Sequence, residues 1–86
     1  MSHYDIPVPR IEGAQSEIVV AAWLKQPGDP VRAGEIVAEV STDKVNVEIA
    51  SPVTGVLEAI LAGEGATVVE GTPLARIVSL PTRDIS

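Results

Sequence analysis

The strongest constraint on this fold is that the chain resembles itself. Val19–Val40, VVAAWLKQPGDPVRAGEIVAEV, shifted by thirty-seven positions, falls on Val56–Ile77, VLEAILAGEGATVVEGTPLARI. Gly28 meets Gly65, Val31 meets Val68 and Gly34 meets Gly71. Val37 meets Leu74, Ala38 meets Ala75, Val40 meets Ile77, Trp23 meets Ile60 and Leu24 meets Leu61. Each copy reads apolar strand, glycine turn, valine, glycine turn, apolar strand. The matched glycines mark backbone positions that need positive φ. A repeat of this kind implies two similar halves related by an approximate two-fold axis. The link between the copies holds Ser41–Val45. That places this turn at one end of the molecule and the two termini toward the other.

The segments between glycines and prolines are short and rich in Val, Ile and Ala, with no sustained helical period. Strands are predicted at Ile6–Pro9, Ile18–Leu24, Ile36–Ser41, Val45–Ala50, Gly55–Leu61 and Pro73–Val78, with shorter extended pieces at Pro30–Val31 and Thr67–Val68. EGAQS, QPGD, RAGE, STDK, SPVTG, AGEGA and VEGT supply the turns. Many short strands at close spacing describe an all-β sandwich or flattened barrel. Alternation is clearest around STDK. Val45, Val47 and Ile49 point one way, and Asn46, Glu48 and Ala50 the other. Ile36, Ala38 and Val40 alternate with Val37, Glu39 and Ser41. Two such runs make a β-hairpin, and Thr42 or Asp43 closes a type I turn through its side chain. Glu39 and Glu48 fall on solvated faces, either as an acidic rim that steers partners or as an ordinary wet sheet surface.

The 86 residues make one small domain with a modest core. Without cysteine, neither a disulfide nor a thiolate metal site is available, and the single His3 argues against a histidine metal site. A net charge of −6, twelve acids against six bases, argues against nucleic acid and anionic membrane surfaces. No apolar run approaches a membrane span, and MSHYDIPVPR reads as neither a signal nor a transit peptide. The expected setting is the bacterial cytoplasm, or the mitochondrial matrix if a transit peptide has been removed. GEG at Gly63–Gly65 precedes no helix and is no nucleotide fingerprint. Gly34, Gly55, Gly65 and Gly71 are read as backbone necessities and Trp23 as core. One His, no Cys and serines without a base form no catalytic cluster, so the isolated domain is expected to catalyse nothing.

The chain has two lysines, Lys25 and Lys44, and one of them stands at the tip of the hairpin. A turn lysine is ordinarily a solvated residue, or one of an exposed ion pair contributing about 0–1 kcal/mol. The surroundings give Lys44 a second reading. STDKV, Ser41–Val45, followed by VEIASPVTGVL, Val47–Leu57, and preceded by WLKQPGDPVRAGEIVAEV, Trp23–Val40, resembles the lipoyl domains of the 2-oxo acid dehydrogenase complexes. Their signature is an Asp-Lys-Ala or Asp-Lys-Val turn between two strands, and the likeness runs from about Ile6 to Val78. It implies a flattened barrel of two four-stranded antiparallel sheets with pseudo-two-fold symmetry, the barrel-sandwich hybrid. It divides the chain into a lipoyl-binding domain at 1–80 and the start of a flexible linker at 81–86.

The resemblance also implies that lipoic acid is joined by an amide to the side-chain amine of Lys44, removing its charge. Asp43 and Val45 would flank the target, Asp43 shaping the turn and being read by the modifying lipoate ligase or lipoyl transferase. The arm would take an acyl group from a thiamine-dependent 2-oxo acid dehydrogenase (E1). It would deliver it to coenzyme A at the dihydrolipoamide acyltransferase core (E2), to be reoxidised by the flavin-dependent dihydrolipoamide dehydrogenase (E3). The full chain would then be an acyltransferase and the isolated domain a monomeric carrier. The loop Ile11–Glu17, IEGAQSE, departs from the family's frequent GEG; it bears on partner choice and not on the modification. Three other readings stay open. A biotin carrier shares the architecture but places methionines around its lysine, where this chain has Asp43 and Val45 and its only methionine is Met1. A glycine-cleavage carrier normally has a longer chain, and an unmodified interaction domain would need no cofactor. Pyruvate, 2-oxoglutarate, branched-chain 2-oxo acids and acetoin are all served by similar domains.

Overall fold

The computed structural model describes residues 2–11 and 17–79. Eight strands form: β1 (Ser2–Pro7), β2 (Ile18–Trp23), β3 (Pro30–Val31), β4 (Ile36–Ser41), β5 (Asn46–Ala50), β6 (Gly55–Ile60), β7 (Thr67–Val68) and β8 (Pro73–Ser79). They make two four-stranded sheets, ordered β1-β8-β6-β3 and β5-β4-β2-β7, with every pairing antiparallel. The all-β, two-sheet barrel expected from the sequence is the observed fold.

The repeat is carried into the backbone. β3 on β6 pairs Pro30 with Val56, and β7 on β2 pairs Thr67 with Val19. The Gly28 amide donates to the Leu57 carbonyl, and the Gly65 amide to the Val20 carbonyl. Each half therefore lends its short strand to the other half's sheet, and neither sheet is built from one half alone. Gly28, Gly34, Gly65 and Gly71 all have positive φ, between 86° and 98°. A left-handed turn here would strain any residue with a Cβ, which explains why the glycines recur in both copies. Gly55 is needed for a different reason: a Cβ there would overlap the carbonyl oxygen of Val78 on the neighbouring strand.

The aliphatic residues that alternate in sequence close the space between the sheets. Val37, Ala38, Val40, Leu57, Leu74, Ala75 and Ile77 are fully buried. Trp23 is half-buried against this core, its indole N–H donating to the Ala62 carbonyl at 2.8 Å. An indole donor that leaves water needs such an acceptor.

Three features differ from the sequence expectation. The first strand is Ser2–Pro7 and not Ile6–Pro9. Its polar start is held by pairing along β8, from Ser2 opposite Ser79 to Pro7 opposite Pro73, with its outer face in water. Hydropathy gives no sign of a strand that depends on an edge pairing. Second, β4 does not alternate strictly: a register shift between Ile36 and Ala38 turns both Val37 and Ala38 inward. Third, Val45, Leu24 and Leu61 lie outside the strands and are 45%, 60% and 49% exposed. The expected linker at 81–86, together with Leu80 and the centre of the Ile11–Glu17 loop, lies outside the described residues.

Candidate attachment site at the Lys44 turn

β4 and β5 run as neighbours from Ile36 opposite Ala50 to Ser41 opposite Asn46, and Thr42–Val45 carries the chain between them. Thr42, one of the two side chains that the sequence offers for closing this turn, bonds across it. Its amide donates to the Val45 carbonyl at 2.8 Å. Its Oγ1 accepts from the amides of Lys44 and Val45, each at 3.1 Å, and the hydroxyl lies 3.3 Å from the Val45 carbonyl, to which it donates. Asp43, Lys44 and Val45 are all exposed on this turn.

The two lysines are in contrasting states. Lys25 Nζ lies 2.7 Å from Glu35 Oε2, and both side chains are partly covered. That bond, with a second from the Arg32 amide to Glu35, holds the Glu35 carboxyl below its ordinary value. None of the ion pairs among the described residues involves Lys44. Lys44 is exposed on a turn fixed at both ends, whereas the amine of Lys25 is engaged. A shallow groove of about 340 Å³ runs beside the turn, lined by Glu17, Val19, Ser41, Thr42 and Asp43. Among the described residues no His, Cys, Asp and Glu side chains gather into a metal-binding group.

The family model described as biotin-requiring enzyme, which covers biotin and lipoyl attachment domains, matches residues 4–77. The solution structure of the lipoyl domain of the 2-oxoglutarate dehydrogenase complex from Azotobacter vinelandii superposes with a TM-score of 0.68. It is 30% identical in sequence, covering 86% of this chain and 96% of that one. The chain belongs to the biotin/lipoyl family, on its lipoyl side. Among curated relatives of this lipoyl domain, the succinyltransferase component of the 2-oxoglutarate dehydrogenase complex of Staphylococcus saprophyticus is 46% identical over 83% of the chain. The acetyltransferase component of the pyruvate dehydrogenase complex of Mycobacterium bovis is 51% identical over 81%. The lipoyl domain spans 17% of the first relative's length and 13% of the second's.

The symmetry of the lipoyl domain also shows what is particular to the lysine end. The pairing of β1 with β8 repeats that of β5 with β4: Ile6 opposite Ala75 corresponds to Ile49 opposite Ala38, and Tyr4 opposite Ile77 to Val47 opposite Val40. The counterpart of the Lys44 turn is thus the paired ends Ser2 and Ser79. Between these matched pairs the two ends diverge. Asp5 faces Arg76, with a 3.1 Å bond between them, whereas at the lysine end Glu48 faces Glu39. Sequence alternation places both glutamates on the outer face, but their direct opposition follows from the register.

Proposed function

We propose that Lys44 is the attachment point of lipoic acid and that the domain is the carrier arm of a dihydrolipoamide acyltransferase in a 2-oxo acid dehydrogenase complex. One observation carries this reading: the amine without an ion pair among the described residues is the one on the closed turn between β4 and β5. The site fits the group, because an amide can form only at an amine that a modifying enzyme can reach. Lys44 Nζ attacks the activated carboxyl carbon of lipoate. A C–N bond forms, the bond to the leaving group breaks, and the amine gives up a proton. With ATP as activator the leaving group is AMP. Lipoate ligase or lipoyl transferase is the partner for this step.

Once attached, the group supplies acyl and electron transfer through its disulfide. The chain's own residues hold its anchor. β4 and β5 fix the turn, Thr42 fixes the backbone at Lys44, and the exposed Asp43 and Val45 flank the side chain. Tethering raises the effective concentration of the arm at each active site within reach. Those sites are supplied by a thiamine-dependent decarboxylase, the acyltransferase core and a flavin-dependent dehydrogenase. The domain itself carries and does not catalyse. The two acyltransferase relatives support this setting, and reductive acylation assays with a panel of 2-oxo acid decarboxylases would identify the acyl group.

Intact mass and peptide mapping after incubation with lipoate ligase, lipoate and ATP test the attachment. One lipoyl increment on the Lys44 peptide is expected, and Lys44→Arg should fold normally yet take none. A biotin increment in cells, or no increment with active ligase, would refute the proposal.

A further inference from the structure

The Thr42 hydroxyl uses its full bonding capacity at the turn: two amides donate to it and it donates to one carbonyl. One of those amides belongs to Lys44 itself. Asn46, the first residue of β5, is paired with Ser41, and beyond that pair the bonds of this hydroxyl join the one backbone bond from the Thr42 amide to the Val45 carbonyl. Without the hydroxyl, the amides of Lys44 and Val45 would lose their acceptor and turn toward water, and Lys44 would start from several backbone conformations. The β-branch of Thr42 adds stiffness, because two heavy atoms on Cβ restrict χ1.

We infer that Thr42 is a positioning residue for acylation of Lys44: it holds the lysine backbone in the conformation that the modifying enzyme accepts. This rests on Lys44 being the attachment point. Thr42 touches no reacting atom. It acts on the fraction of molecules whose turn is competent, so its loss raises the apparent KM and leaves kcat unchanged at saturation.

The test compares ligase kinetics, with lipoate and ATP saturating, on the wild-type domain, Thr42→Val and Thr42→Ser. Trp23 fluorescence reports whether each variant is folded. Thr42→Val should raise KM by about three- to tenfold, the range set by losing one hydrogen-bonding group. Its kcat should be retained, and Thr42→Ser should restore KM. A KM within twofold of wild type, a defect that serine does not repair, or a loss confined to kcat would overturn the inference. Failure of the wild type to accept lipoate would instead overturn the attachment itself. Should Thr42→Val not fold, amide hydrogen exchange of the wild type carries the test. The Lys44 amide is expected to be protected, and exchange at the rate of an unstructured chain would overturn the role of the hydroxyl.

Discussion

Exchanging Glu39 for Arg should stabilise the domain. Register and symmetry place Glu39 where Arg76 stands in the other half, with Glu48 in place of Asp5. The neighbours match as well: Arg76 lies beside Ala59, and Glu39 beside Ala22. Glu39→Arg would therefore convert a cross-strand repulsion into a copy of the Asp5–Arg76 bond, whose 3.1 Å geometry is already accommodated. Like charges directly opposite on paired strands are destabilising, and two unit charges in water at a nominal separation of about 7 Å repel by roughly 0.6 kcal/mol. An exposed pair of opposite charge contributes about 0.2–1 kcal/mol. The Asp5 and Arg76 side chains are 45% and 46% exposed, so the low-dielectric figures for buried pairs do not apply. The sum is about 1 kcal/mol, equivalent to a Tm rise of roughly 4–8 °C in a domain of this size. Thermal unfolding followed by Trp23 fluorescence in low salt measures it, with Glu39→Gln as the control that removes repulsion alone and should give about half. Added salt should shrink both gains, because the Debye length falls to ~3 Å at 1 M. A Tm for Glu39→Arg at or below wild type in low salt would refute the reasoning from register and symmetry.

Two further outcomes follow from the backbone and from Glu35. Gly34→Ala, at φ +88° with open space around it, should cost about 1–2 kcal/mol by denaturant titration. Gly55→Ala should cost more, because its Cβ meets a neighbouring strand's carbonyl and the two strands must part; equal costs would show that Gly55 is not packed as described. The Lys25 and Arg32 bonds lower the Glu35 carboxyl from its ordinary 4.5, so its contribution to stability is full above that value and lost as pH falls below it. The stability gap between wild type and Glu35→Gln should therefore close on acidification below pH 4.5, and a gap that widened there would reverse the sign.

Where sequence and structure agree, a local rule or the repeat carried the information. Paired glycines declared their left-handed turns, and the Val and Ile runs declared their strands. Gly55 announced itself as a backbone requirement without its cause, since the overlap with Val78 exists only once β6 lies on β8. The inward turn of both Val37 and Ala38 was hidden because a register shift inserts no characteristic residue. The polar opening of β1 was hidden because its partner is at the far end of the sequence. At the lysine, the residue type and the turn were legible. A closing bond from Thr42 was legible beside one from Asp43, and the direct opposition of Glu39 and Glu48 needed the register.

The exchange of strands between halves has a consequence for assembly. Among the described residues β1 pairs only with β8, and β3 only with β6. As the domain leaves a ribosome, β1 must wait for its partner until β8 has emerged. Neither half can complete its sheet in advance of the other, so folding is governed by closure between distant parts of the domain, and the lysine becomes presentable only when nearly all of the domain is available.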